Sequence, residues 1–213
     1  TMHIPGVSDP LDEVHDCYVL CELSSPRKES FLRESLEQSL SAGIKDGRVL
    51  DAAIAESLAQ RASFWKLRES VPEAQRAAGA SIKHDVSVPV AALPEFLAEA
   101  AAAVAGIVPS GRLVAYGHVG DGNLHFNVSQ PVNGDSAGFL ACATQIEDAV
   151  LGLVQNYRGS ISAEHGIGRL KREKLLRYKS GVDLSVMRAI KDALDPRGIM
   201  NPGKVLEPLA GSE

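Results

Sequence analysis

The apolar and polar positions along the chain mark out a mixture of strands and helices. Asp16–Leu23 (DCYVLCEL), Ser81–Pro89 (SIKHDVSVP), Arg112–Val119 and Leu124–Ser129 are predicted strands, with shorter ones at Gly47–Leu50 and Gly159–Ala163. Helical spacing is clearest where Phe31, Leu32, Leu36 and Leu40 recur. It predicts a helix over Arg27–Ala42 that starts after Ser24-Ser25-Pro26 and closes at Gly43. Asp51–Ala78 carries Ile54, Leu58, Phe64, Trp65 and Leu67 at helical spacing, with a break or kink expected at Pro72. An alanine-rich helix follows from Pro94 to about Ala105. Ser136–Tyr157 places Phe139, Leu140, Ala143, Ile146, Ala149, Val150 and Leu153 on one side. Two more helices are predicted at Arg169–Tyr178 and Asp183–Leu194. Pro5, Gly6 and Pro10 keep the opening irregular, and the segment after Asp195 is rich in Pro and Gly.

Strands and helices thus alternate, but two strands are adjacent across a Gly-Asp-Gly-Asn turn, which argues against a purely parallel sheet. The pattern predicts an α+β fold, a mainly antiparallel sheet with helices packed on one face. The chain has 213 residues, enough for one large domain or two small subdomains. With 45% apolar and 23% charged residues it reads as a soluble globular protein, not a disordered chain, a collagen or a coiled coil. No apolar run approaches the roughly 20 residues of a membrane span, and Thr1–Gly6 lacks the marks of a signal peptide. A net charge of −5 argues against nucleic-acid binding by phosphate neutralisation. In a strand, Cys17 and Cys21 would stand about 13 Å apart, too far to pair. Cys142 lies in a helical stretch, so three reduced and mostly buried thiols, in a cytoplasmic setting, are expected.

The most informative stretch is Tyr116–Val128, YGHVGDGNLHFNV. If Gly120–Asn123 form a four-residue loop, His118 pairs with His125. Opposed residues have Cβ atoms about 4.5–5.5 Å apart on one face, so two imidazoles can reach one metal at about 2.0–2.1 Å. Asn127, two residues beyond His125, faces the same way. A second unusual stretch, Ser162-Ala163-Glu164-His165-Gly166-Ile167-Gly168, supplies a carboxylate. His118, His125 and Glu164 would leave open positions on the metal, the mark of a catalytic site. Ligand type permits zinc, manganese or iron(II), and zinc is expected.

HVGDGNLH, then SAEHGIG, then DPRGIMNPGKVL, in this order and spacing, resemble the C-terminal domain of the FAD-linked oxidases, a family that holds D-lactate, D-2-hydroxyglutarate and glycolate dehydrogenases. The resemblance runs from about Asp9 to Leu206 and implies a substrate-side cap of ferredoxin-like α+β subdomains facing a flavin. The FAD would be held by an N-terminal FAD-binding domain outside residues 1–213, which would make the chain a piece inactive by itself. By resemblance His118, His125 and Glu164 bind zinc, and His165 is the base. Arg68 and Lys83 hold the substrate carboxylate, Asn127 lies near the substrate, and Asn201 meets the cofactor. A homodimer is allowed for, and the electron acceptor is left open. Read by themselves, Arg68 is a solvated helix arginine and Lys83 a neighbour of Asp85. Trp65 reads as core. Pro72 stands where some relatives place a hydroxyl, and His84 where an aromatic residue is common. The substrate is therefore read only as a 2-hydroxy acid.

The expected chemistry is oxidation of a 2-hydroxy acid to a 2-oxo acid. The metal polarises the hydroxyl, a histidine takes its proton and FAD accepts the hydride. Two rivals use the same residues: a metal-dependent hydrolase with a zinc-bound water, and a non-catalytic module whose metal is structural. A role swap, with His165 a ligand and Glu164 the base, is a further alternative.

Overall fold

The computed structural model describes residues 4–27 and 31–207. It divides into two compact units, Thr1–Ala78 and Gly79–Glu213.

The first unit holds three helices, α1 (Leu32–Lys45), α2 (Leu58–Glu69) and α3 (Val71–Ala77). The expected start of α1 falls partly on residues 28–30, outside the described residues. The long helix expected over Asp51–Ala78 is shorter and split. Ser57 opens α2 by accepting from the Gln60 amide at 3.2 Å. Ser70 closes α2, and Pro72 sits in the first turn of α3, where its missing N–H costs nothing. The strand expected at Asp16–Leu23 is not formed, and Gly47–Leu50 is turn and bend. A strand needs a partner for its backbone groups, and among the described residues none pairs with this segment. Its Val19 is 83% exposed, and Cys17 and Cys21 are exposed rather than buried. Side chains tie the segment down instead. Glu22 accepts from Arg61 Nη2 at 2.6 Å and from Trp65 Nε1 at 2.6 Å, so Trp65 serves as a donor and not as core. The hydrogen bonds to Arg61, then to Trp65, hold the Glu22 carboxyl below its ordinary range.

The second unit is built on a three-stranded antiparallel sheet. Its strands are β1 (Ser81–Ser87), β2 (Arg112–His118) and β3 (Asn123–Ser129), in the order β1-β3-β2. Helix α4 (Leu93–Ile107) joins β1 to β2, and a break at Cys142 divides the next helical stretch into α5 (Ser136–Ala141) and α6 (Ala143–Asn156). The strand expected at Gly159–Ala163 is reduced to one antiparallel bridge, Ser160 to Ser87. With that bridge in place of a fourth strand, the path is the β-α-β-β-α-β order of a ferredoxin-like unit. Two helices, α7 (Arg172–Tyr178) and α8 (Gly181–Leu194), complete the fold.

Strand alternation separates the two faces of this sheet. Ile82, Val86, Leu124, Phe126 and Val128 form one buried cluster with Phe96, Ala100 and Val104 of α4 and Ile146, Val150 and Val154 of α6. Val90–Ile107 has the length and apolar composition of a membrane span, contrary to the sequence reading. Its buried stripe of Phe96, Ala100 and Val104 belongs to this core, which accounts for its apolarity. The opposite face carries Lys83 and Asp85 from β1, Asn123, His125 and Asn127 from β3, and Tyr116 and His118 from β2. Helices therefore cover one face, and the polar groups gather on the other.

Candidate metal and substrate site

The β2–β3 hairpin turns through Val119–Gly122, not Gly120–Asn123. The Asn123 amide donates to the Asp121 carboxylate at 3.0 Å, and Gly122 adopts φ +71, a left-handed value that glycine reaches without strain. Asn123 is thereby drawn into the strand. His118 faces Asn123, and His125 faces Tyr116, two positions from the expected pairing. An even displacement leaves both histidines on the same face. They are diagonal rather than opposed, and the space between their rings is filled by Glu164.

Glu164 Oε2 lies 3.4 Å from His125 Nε2, and its Oε1 lies 3.9 Å from His118 Nε2. Asn123 Nδ2 also donates to Glu164 Oε1. Each of the two imidazole nitrogens thus faces one oxygen of the Glu164 carboxylate. Ligands bound to one zinc at about 2.0–2.2 Å stand a little over 3 Å from each other; the His125–Glu164 distance is close to that spacing and the His118–Glu164 distance is longer. His125 is held by Tyr116, whose ring centroid is 4.9 Å away, while His118 is 57% exposed.

A second grouping overlaps the first. Donor atoms of Asp85, His125 and His165 all lie within 4.8 Å of one another. The Asp85 oxygens are already occupied. They accept from the Glu164 amide at 3.2 Å, the His165 amide at 3.0 Å and the Ser162 hydroxyl at 3.2 Å. Lys171 Nζ stands 3.8 Å away. Burial pushes the Asp85 carboxyl up, but the His165 and Glu164 amides, with His165 and Lys171 nearby, outweigh it and leave it below the ordinary carboxylate range. Burial lowers Lys171, against the pull of Asp85. The Asp85 oxygens are thus engaged by two amides and a hydroxyl, whereas the Glu164 carboxylate accepts from Asn123 and faces both His118 and His125.

His165 follows Glu164 in a loop where Gly166 and Gly168 have φ of +70 and +55. Its side chain is 66% exposed, with Nδ1 turned toward Asp85 at 3.6 Å. Lys83 is exposed on the same sheet face, opposite Asn127. Asn127 is only 3% exposed, and its Oδ1 accepts from the His84 amide at 3.3 Å. Arg68 lies half-buried on α2 of the first unit. Asn201 sits in the turn after α8, outside this cluster, with φ +49. His84, beside Lys83, points into the core against Phe126. Sequence reasoning missed Asp85, Asn123, Ser162 and Lys171. Only the alternation of Lys83 and Asp85 hinted at the first.

The sequence is also similar to that of known proteins. The model of a family described as "FAD linked oxidases, C-terminal domain" matches residues 1–205. D-2-hydroxyglutarate dehydrogenase of Xanthomonas citri pv. viticola is 39% identical over 204 residues, 95% of this chain and 42% of the relative. The mitochondrial D-2-hydroxyglutarate dehydrogenase of Arabidopsis thaliana is 36% identical, covering 96% of this chain and 35% of the relative. A D-2-hydroxyglutarate–pyruvate transhydrogenase of Saccharomyces cerevisiae is 34% identical, covering 92% and 40%. The chain therefore spans about two fifths of the length of these curated relatives.

Proposed function

The chain belongs to the FAD-linked oxidase family, as its C-terminal domain, and we propose that it forms the metal- and substrate-binding side of a flavin-dependent 2-hydroxy-acid dehydrogenase. The observation that carries this reading is the convergence of His118, His125 and Glu164 on the polar sheet face, with His165 next in the chain. The chemistry supplied from outside the chain is Lewis acidity, from a zinc ion held by those three residues, and hydride acceptance, by FAD on an N-terminal domain.

The chain's own residues bind, orient and deprotonate. Lys83, exposed beside the site, draws the substrate carboxylate as a point charge, while Arg68, on the first unit, is assigned to substrate binding by family resemblance alone. Asn127 lines the floor between Lys83 and His125. Asp85 faces Nδ1 of His165, which leaves Nε2 of that ring to take the hydroxyl proton. His165 Nε2 would take the hydroxyl proton, with the acceptor for the α-hydrogen and its electron pair supplied by the flavin of the other domain, and the C–OH carbon would become the carbonyl carbon of a 2-oxo acid. Asn201 is assigned to the cofactor side by family resemblance alone. The named relatives are dehydrogenases or a transhydrogenase acting on D-2-hydroxyglutarate, which supports oxidation over metal-assisted hydrolysis. It also makes D-2-hydroxyglutarate the first substrate to test. Pro72 offers no hydroxyl for a second carboxylate, so this substrate would use other donors there.

The test is anaerobic flavin bleaching by a panel of 2-hydroxy acids, with the metal content of each variant measured in parallel. His118→Ala is expected to lose the metal and His165→Asn to keep it while losing most of kcat. A full-length enzyme that holds no metal and is bleached by none of the acids would overturn the reading.

A further inference from the structure

Asp85 is a buried carboxylate on the face that otherwise holds the chemistry; the metal set does not use it, and the proton path draws only on its approach to His165 Nδ1. At 5% exposure a carboxylate survives only if its oxygens are bonded. Here the bonds come from a segment about eighty positions further along the chain. The consecutive amides of Glu164 and His165 both donate to Asp85, as does the Ser162 hydroxyl. Lys171 closes the arrangement by donating to the Ile161 carbonyl at 3.0 Å and to Ser162 Oγ at 3.2 Å. Two successive N–H groups aimed at one anion form a nest, in this case filled by the protein's own side chain.

The backbone explains why such a clamp is needed. β1 is paired with β3 along its whole length, so Asp85 stands on a rigid frame. Among the described residues, the segment that carries Glu164 and His165 has a single ladder contact, the Ser87–Ser160 bridge, and then runs through Gly166 and Gly168 at positive φ. Its position is set by side chains and not by a sheet. We propose that Asp85 is a positioning residue. Its carboxylate, backed by Ser162 and Lys171, fixes the backbone at residues 164 and 165 so that metal ligand and proton acceptor are presented together. This rests on the roles proposed above for Glu164 and His165.

The test is Asp85→Asn in the full-length flavoenzyme, read by amide hydrogen exchange, zinc affinity against a chelator, and kcat separately from KM. The side-chain amide of Asn retains one acceptor oxygen and loses the charge. Exchange at the Glu164 and His165 amides is expected to quicken about tenfold or more, with β3 unchanged. Zinc affinity and kcat should each fall about 10–100-fold, the range seen when a ligand's supporting contact is lost, while KM stays within about twofold. A residue that merely stabilises the fold would give another pattern: faster exchange across β1 and β3, a lower Tm, and normal zinc affinity and kcat in the folded fraction. That result would overturn the proposal. Should Asp85→Asn fail to fold, Lys171→Met should show the same pattern more weakly, with Lys171→Arg restoring it. Wild-type exchange and kcat in Lys171→Met would count against the clamp. The exchange readout needs neither metal nor substrate, so a metal-free wild-type enzyme would refute the proposed function while exchange still decided the clamp.

Discussion

Adding one methyl group at Gly117 tests whether the hairpin backbone sets the metal site. Gly117 precedes His118 on β2 and faces Leu124. A Cβ there would stand 1.9 Å from the Asn123 carbonyl oxygen, 2.8 Å from the Asn123 carbonyl carbon and 3.0 Å from Leu124 Cα. All three are backbone atoms of the facing strand and cannot rotate away. Ordinary non-bonded contacts begin at about 3.5 Å, so the strands must part by more than about 1 Å. The residues displaced are His118 and Asn123, which both reach Glu164. Metal–ligand distances tolerate about 0.2 Å, so a shift of that size breaks the set. Gly117→Ala should cost about 1–3 kcal/mol of stability, as overpacking does, and Tm should fall about 2–4 °C for each kcal/mol in a domain of this size. Zinc affinity should drop by at least about tenfold. The control is Gly120→Ala in the turn of the same hairpin, where an added Cβ meets nothing within 4 Å. The assays are metal-free thermal melts and chelator competition on the full-length enzyme. If Gly117→Ala matches Gly120→Ala in both, the hairpin does not set the site.

Two further outcomes are expected. Burial holds the His84 imidazole below its ordinary range even though its Nδ1 lies 2.8 Å from the Phe126 carbonyl oxygen. Its stabilising effect is therefore complete above the unfolded pKa of about 6.5 and is lost as pH falls, at up to about 1.4 kcal/mol per pH unit. Denaturant melts of His84→Phe should show a flatter loss of stability toward acid, and an unchanged slope would contradict this. Lys83→Ala should lower kcat/KM by about 10–100-fold through a lost charged contact, with Tm unchanged because the side chain is exposed; wild-type kinetics would return Lys83 to the role of a surface cation.

Much of the second unit was legible in the sequence because period-2 alternation requires only local information. β1, β2, β3 and α4 lie close to where the pattern places them. The hairpin register was missed by two positions, since it depends on the Asp121–Asn123 turn bond and not on hydrophobicity. The even displacement preserved the face, so His118 and His125 still meet Glu164. The segment Asp16–Leu23 carries strand-forming residues, but a strand exists only through a partner, and composition cannot show whether one is there. The break at Cys142 falls within an apolar stripe that continues on both sides of it, which is why one helix was expected. Asp85 was illegible for a different reason. Its partners are backbone amides 79 and 80 positions away, and amides leave no mark on a sequence.

The assignment of metal ligands against proton acceptor is tested most directly by anomalous diffraction at the zinc edge from crystals of the full-length enzyme grown with zinc. The expected result is one peak at about 2.0–2.2 Å from His118 Nε2, His125 Nε2 and a Glu164 oxygen, with His165 beyond bonding distance and its Nε2 open to the substrate hydroxyl. A peak bonded to His165 and Asp85 instead would contradict the assignment and make Glu164 the candidate base.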